Sequence, residues 1–76
     1  SEYSIMEIVA LDSWINQSLK DLELRKKYGI NVAAIKYGND VNVSPGQDEI
    51  IMKYDIIVTL GTTTDLGKFE GAIGKS

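Results

Sequence analysis

The sequence predicts an α+β domain, in which helices pack on a small sheet and the elements follow the order β-α-β-β-β-α. Two observations lead to this prediction. Three stretches are rich in Ile and Val, as extended strands are. Two other stretches carry Leu or Phe at helical spacing behind residues that cap helices. The length of 76 residues allows one domain, residues 1–76.

The first strand is predicted at residues 3–11, where nearly every side chain is apolar. We expect it to be buried on most of both faces, because Met6, Ile8 and Ala10 alternate with Ile5, Glu7 and Val9. Residues 12–17 follow as a connector. Trp14 of the connector is expected to be a packing residue.

The first helix is predicted at residues 19–28. Ser18 is a typical N-cap, and Asp21 stands where the partner residue of a capping box belongs. Three bases, residues 25–27, end the helix, as the helix dipole favours. Gly29 suits the left-handed residue that closes a helix.

A second strand is predicted at residues 30–37 and a short third strand at residues 41–43, joined by a turn at residues 38–40. By simple alternation, Ile30, Val32 and Ala34 face one side of the sheet, and Asn31, Ala33 and Ile35 face the other. The third strand ends at Ser44-Pro45-Gly46.

The last third of the chain contains a strand and a helix. Residues 48–52 fit either one helical turn or a bridge, and residues 53–55 a tight turn. Residues 56–60 are apolar on both faces, which predicts a central strand. Residues 62–64 can cap a final helix at 65–73 that presents Leu66, Phe69 and Ile73 on one face. Residues 74–76 are expected to be a frayed end.

Composition excludes several functions. The chain has no His and no Cys, so the usual catalytic base, nucleophilic triad and zinc ligands are missing. A net charge of −3 argues against DNA or RNA as a partner.

No apolar run approaches the roughly 18 residues of a membrane span, and no signal peptide is evident. Gly61-Thr62-Thr63-Thr64 lacks the lysine of a phosphate-binding loop, so it is interpreted as a helix cap. We therefore predict no enzyme, no catalytic residue, no metal and no cofactor.

So short a chain buries a small core and has no disulfide to support it. A partner subunit is the expected source of further stability. The sequence also begins almost directly with a strand, and we interpret it as a domain excised from a longer protein.

One ordered set of motifs is informative. It comprises SLKDLELRKKYGINVAAIK at residues 18–36, Val41-Asn42-Val43-Ser44-Pro45, the turn at Asp55, and the strand at 56–60 with Gly61. This set resembles the C-terminal domain of regulators of K⁺ conductance (RCK proteins), the TrkA-C family. Two positions depart from the family pattern, which has Gly where this sequence has Asn16 and Tyr54. Asn tolerates a left-handed backbone better than most residues.

The resemblance implies a cytoplasmic homodimer that regulates a membrane-embedded potassium channel or transporter subunit through the full-length protein. In part of the family it implies cyclic di-AMP as the regulatory ligand, bound on the two-fold axis. It assigns Arg25 to a phosphate and Asn31 to an adenine edge. Ala33, Ile35 and Pro45 are the implied apolar walls, with Leu19 and Leu22 nearby.

The same residues also have simpler interpretations that involve no ligand. The helix dipole accounts for Arg25 without a ligand, and Asn31 can simply begin a strand. A second hypothesis is therefore a dimerisation and transmission module that has no nucleotide site or that binds another small ligand. A third hypothesis, a fragment of an enzyme, has no catalytic residue to support it.

Overall fold

The computed structural model describes residues 2–74 and has the predicted order of elements. A short 3₁₀ helix at Asp12–Trp14 lies between the first strand and the first helix. The strands and helices are β1 (Tyr3–Val9), α1 (Leu19–Leu22), α2 (Leu24–Tyr28), β2 (Asn31–Tyr37), β3 (Asp40–Val43), β4 (Ile56–Thr62) and α3 (Thr63–Ile73).

The four strands form one antiparallel sheet in the order β1-β4-β2-β3. The central position predicted for residues 56–60 is confirmed, because β4 pairs with β1 on one side and with β2 on the other. Ile57 and Thr59 of β4 are fully buried. The Thr59 hydroxyl donates to the Met6 carbonyl oxygen at 2.7 Å, which satisfies this buried polar group.

The prediction that β1 is buried on both faces is wrong. Met6 and Ile8 pack against the core, but Ile5 and Val9 are 64% and 58% exposed on the other face. We call that other side of the sheet the open face, because α1, α2 and α3 all contribute to the core on the opposite side. The apolar pattern of residues 3–11 gave no information on whether a second layer covers this face.

A β-bulge in β2 corrects the predicted assignment of its two faces. Val32 pairs with Thr59 and Ala34 pairs with Val58, so Ala33 is an extra residue with no partner in β4. Alternation resumes one position later, and Ile35 therefore shares the core side with Val32. The prediction that Ile35 faces the same way as Asn31 and Ala33 is wrong for this reason.

The core is a single cluster beneath the helices, centred on aromatic rings. Phe69 of α3 is fully buried. Its ring stacks on Trp14 with centroids 6.0 Å apart and meets the edge of Tyr28 at 5.1 Å. Leu66 is buried and Ile73 packs against the cluster, as the helical spacing predicted. The packing role of Trp14 is likewise confirmed.

The predicted turns and caps are largely confirmed. Ser18 Oγ accepts from the Asp21 amide at 3.1 Å, and Thr62 Oγ1 accepts from the Asp65 amide at 3.0 Å. Asn16 and Gly29 adopt left-handed φ angles of 70° and 74°. Residues 48–52 form an isolated bridge between Ile50 and Ser18.

The end of the chain is only partly described. The Gly74 amide donates to Glu70, so this part of the predicted frayed end is hydrogen-bonded. Lys75 and Ser76 lie outside the described residues. Within residues 2–74, no helix has the length and apolar character needed to cross a bilayer.

Gly29 is the position where a side chain should destabilise the fold most directly. Besides its φ of 74°, a Cβ atom there would lie 2.8 Å from Asp65 Oδ2. We expect Gly29→Ala to lower the free energy of unfolding by about 1–2 kcal/mol, mainly from the left-handed backbone. Thermal and urea unfolding measure this change.

Gly67 of α3 is the matched control, because no atom lies within 4 Å of a Cβ added there. Gly67→Ala should raise the free energy of unfolding by about 0.5–1 kcal/mol. Equal effects of the two substitutions would contradict the conformation assigned to Gly29.

Candidate ligand-binding site

The segment that carries Arg25 is two short helices, so the prediction of one helix over residues 19–28 is wrong. Glu23 separates α1 from α2 with a left-handed backbone at φ 50° and ψ 42°. The break changes the direction of the chain just before Arg25.

The spacing of the leucines explains why the break is favourable. Residues two positions apart lie about 200° apart around a continuous helix, so Leu22 and Leu24 would point in nearly opposite directions. With the break, Leu24 is 6% exposed and Leu19 is 7% exposed, and both join the core, while Leu22 packs at its edge. Burying a second leucine is worth about 1.5–3 kcal/mol, which is enough to offset the roughly 1–2 kcal/mol cost of one left-handed residue.

A cavity of about 400 Å³ opens beside this break. It lies between the two helices, the start of β2 and the loop that follows β3. Its lining consists of Leu19, Lys20, Glu23, Leu24, Arg25, Lys26, Ile30, Asn31, Val32, Pro45 and Gln47.

Three of the five predicted site residues line this cavity: Arg25, Asn31 and Pro45. Gly29 makes this possible, because its reversal of the chain places the start of β2 back alongside α2. Ala33 is exposed at the bulge and is not part of the lining. Ile35 is 7% exposed in the core and lines a different groove. Of the two predicted neighbours, Leu19 lines the cavity and Leu22 does not.

The cavity is electropositive although the whole chain carries a charge of −3. Three cations, Lys20, Arg25 and Lys26, face one carboxylate, Glu23. Lys26 and Glu23 form an exposed ion pair at 3.5 Å. Among residues 2–74 the Arg25 guanidinium has no ion-pair or hydrogen-bond partner. It is therefore free to bind an anion through several N–H groups.

Sequence reasoning missed Lys20 and Gln47. Lys20 could have been found from its position three residues before Glu23, on the same side of the predicted helix. Gln47 had no signal, because a backbone contact brings it here: the Lys20 amide donates to the Gln47 carbonyl at 2.9 Å. The Leu19 amide donates to Glu49 in the same way at 3.0 Å, so the loop occupies the free amides of α1.

The chemical character of the cavity is that of a binding site for an organic anion. It combines an unpaired guanidinium, the amide of Asn31 and the apolar side chains of Leu19, Ile30, Val32 and Pro45. Within residues 2–74, no group of three potential metal ligands is close enough to hold an ion.

Comparison with known proteins agrees with this architecture. The TrkA-C domain family model matches residues 4–74. The chain belongs to the TrkA-C domain family. The family resemblance drawn from the motifs at residues 18–61 is thereby confirmed.

Two curated relatives of this TrkA-C domain come from Bacillus subtilis (strain 168). It is 46% identical over 69 residues to the Ktr system potassium uptake protein C and 39% identical over 69 residues to the Ktr system potassium uptake protein A. Each alignment covers 91% of this chain and 31% of the relative. The chain therefore spans about a third of the length of these relatives.

A solved structure of a related domain is similar throughout. It is the RCK C domain of the potassium transport protein KtrA in complex with cyclic di-AMP. The TM-score is 0.84 at 38% identity, over 93% of this chain and 84% of that one. The α+β fold predicted from the sequence is therefore the fold of this family.

The break at Glu23 can be tested by glycine substitution. Glycine adopts the left-handed conformation without penalty, so we expect Glu23→Gly to leave the free energy of unfolding unchanged or slightly higher. The exposed ion pair to Lys26 contributes too little to reverse this result. Urea unfolding gives the measurement.

Lys27→Gly is the control within α2, because the Lys27 amide makes a helical hydrogen bond to Glu23. This substitution should cost about 1 kcal/mol. If residues 19–28 were one continuous helix, both substitutions would cost about the same, and the break would be refuted.

Proposed function

We propose that this TrkA-C domain is a regulatory, non-enzymatic domain of a potassium uptake system and that it binds cyclic di-AMP between two copies of the chain. One observation carries the proposal. Arg25, Asn31 and Pro45, chosen from the sequence as ligand contacts, line one electropositive cavity. The likeness to the KtrA domain with bound cyclic di-AMP supports the choice of ligand.

Each part of the cavity suits one part of this nucleotide. The free guanidinium of Arg25 binds a phosphodiester, and Lys20 adds positive charge beside it. The amide of Asn31 has both a donor and an acceptor, which an adenine edge requires. Leu19 and Pro45 provide apolar contacts for the base. Ile35 serves the core rather than the ligand in this proposal, because it is buried away from the cavity.

The symmetry of the ligand accounts for a dimer. Cyclic di-AMP has two identical halves, each with one phosphate and one adenine. An isologous dimer presents the same residues twice across its axis, so one arginine and one asparagine per chain serve the whole ligand. Ala33 is exposed beside Asn31, and we place it among the contacts to the partner copy or to the second half of the ligand.

Regulation follows from binding at such an interface. A ligand held by both copies stabilises one relative orientation of them, and it shifts the population towards that orientation by its differential affinity. In a longer protein, that shift would be transmitted to a membrane-embedded transporter subunit. We place the domain on the cytoplasmic side, peripheral to the membrane through this partner.

Removal of the Arg25 side chain should abolish ligand binding. Hydrogen bonds to a charged group contribute about 1.5–3 kcal/mol each, and the residue acts twice in a symmetric site. We therefore expect Arg25→Ala to weaken binding by about 100-fold or more. Calorimetric titration with cyclic di-AMP should give one ligand per two chains for the unaltered protein.

Lys27→Ala removes the same charge from the same helix but outside the cavity lining. It should change the affinity less than threefold. If the unaltered chain is folded and dimeric by sedimentation but shows no heat with cyclic di-AMP, the nucleotide proposal fails. The domain would then be a dimerisation and transmission module, or a receptor for another ligand.

A further inference from the structure

A second groove shares no lining residue with the first cavity. It has a volume of about 560 Å³ and lies on the helix side of the sheet, between the β2–β3 hairpin and residues 49–55. Its wall is largely apolar and aromatic. Its lining includes Tyr54, Ile50 and Met52 together with the charged residues Asp40, Glu49 and Lys53.

Tyr54 lines this groove with a backbone conformation that is unfavourable for any residue with a side chain. Its φ is 74°, in the left-handed region where glycine is the usual residue. The residue is 69% exposed, so its side chain gains little from packing in the core. A bulky residue held in this region points to a use for its side chain.

The turn itself does not require a tyrosine. The Met52 amide donates to Asp55 Oδ2 at 2.8 Å, and the Asp55 amide donates to the Met52 carbonyl at 3.1 Å. These bonds close the turn through the two residues that flank Lys53 and Tyr54. Lys53 Nζ lies 5.3 Å from the centre of the Tyr54 ring. A glycine at position 54 would keep both hydrogen bonds and relieve the backbone.

The free edge of β3 runs beside the groove. β3 pairs only with β2 within residues 2–74, and all four of its residues are exposed. The Ser44 amide donates to the Ala33 carbonyl, so these two residues form a hydrogen-bonded pair. Hydrogen-bonded and non-hydrogen-bonded pairs alternate along an antiparallel ladder, so Val43 and Val41 belong to pairs without hydrogen bonds to β2. The N–H and C=O groups of Val41 and Val43 therefore point outwards, where another strand can pair with them.

The charges that line the groove favour a cation, because Asp40, Glu49 and Asp55 outnumber Lys53 there. Asp40 and Asn42 project from β3 on the groove side, and Glu49 accepts a hydrogen bond from Asn42 Nδ2 at 3.0 Å. These carboxylates lie next to the free edge, whereas three of the four charged residues that line the other cavity are bases. A segment that pairs with β3 would bring every second side chain over these acids.

We propose that the β3 edge and this groove bind an extended peptide segment of a protein partner, which adds to the sheet as a fifth strand. Its backbone pairs with Val41 and Val43. One apolar side chain contacts Tyr54, Ile50 and Met52. A lysine or arginine two positions away contacts Asp40 and Glu49. This is strand addition with a side-chain pocket for specificity.

The test begins with selection of random 12-residue peptides on the immobilised 76-residue chain, with counter-selection on its Tyr54→Gly variant. We expect selected peptides to carry a Lys or Arg two positions away from an apolar residue, because only residues at this spacing both face the groove. Their affinities are then measured by fluorescence anisotropy. Tyr54→Gly should weaken binding at least tenfold while the melting temperature stays equal or rises.

Val41→Pro tests the strand pairing, because it removes an N–H that points away from β2 and leaves the ladder intact. It should weaken peptide binding at least tenfold. Ile5→Pro is the matched control on the other edge strand. The Thr63 amide donates to the Glu2 carbonyl, which makes these residues a hydrogen-bonded pair of the β1–β4 ladder. By the same alternation, Ile5 belongs to a pair without hydrogen bonds to β4, and its N–H also points outwards.

Three results would overturn the proposal. The first is a selection that yields no peptide surviving counter-selection. The second is a set of peptides that bind the Val41→Pro variant as well as the unaltered chain, or that lose affinity equally with Ile5→Pro. The third is binding only of isolated cations such as arginine, without a peptide backbone, which would replace strand addition by a small-ligand site. None of these measurements involves a nucleotide, so they are independent of the function proposed above.

Discussion

Burial of the face of β4 that the helices cover is the constraint on which the remaining elements depend. Ile57 and Thr59 are fully buried there, and β1 and β2 pair on either side of this strand. A hydroxyl in such a place must have a partner, and the bond from Thr59 to Met6 provides it across the strand pair. Phe69 then closes the core from above together with Trp14 and Tyr28. With so small a core, each of these contacts is a large share of the total stability.

The sequence predicted elements that rest on local rules and missed features that rest on tertiary ones. The caps at Ser18 and Thr62 and the reversal at Gly29 follow from residue type, and the structure has all three. The break at Glu23 follows from burial of Leu24, and the spacing of Leu22 and Leu24 does not by itself say which of the two the core takes. In the candidate site, the reversal at Gly29 brings Asn31 beside Arg25, and Pro45 joins them from the loop after β3. Gln47 reaches the cavity through a backbone contact that no sequence pattern indicates.

The charges of the domain are segregated rather than evenly mixed. Three bases and one acid line the cavity, Lys20, Arg25, Lys26 and Glu23, whereas three acids and one base line the groove beside β3, Asp40, Glu49, Asp55 and Lys53. An overall charge of −3 therefore hides two regions of opposite sign on a body about 31 Å long. At physiological ionic strength the screening length is about 8 Å. The attraction by either region therefore falls off within about that distance, so each region recruits oppositely charged groups that come close to its own lining.

The bulge at Ala33 divides β2 into two parts that serve different purposes. After the bulge, side chains alternate between the two faces of the sheet so that Ile35 points into the core. Asn31, before it, lies in a stretch whose register is offset by one residue, at the edge of a cavity. Asn31 is exposed and outside the core cluster, so a mutation there leaves the side chains that pack beyond the bulge in place. Evolution can alter what such a strand recognises while the hydrophobic interior, and with it the fold, is inherited unchanged.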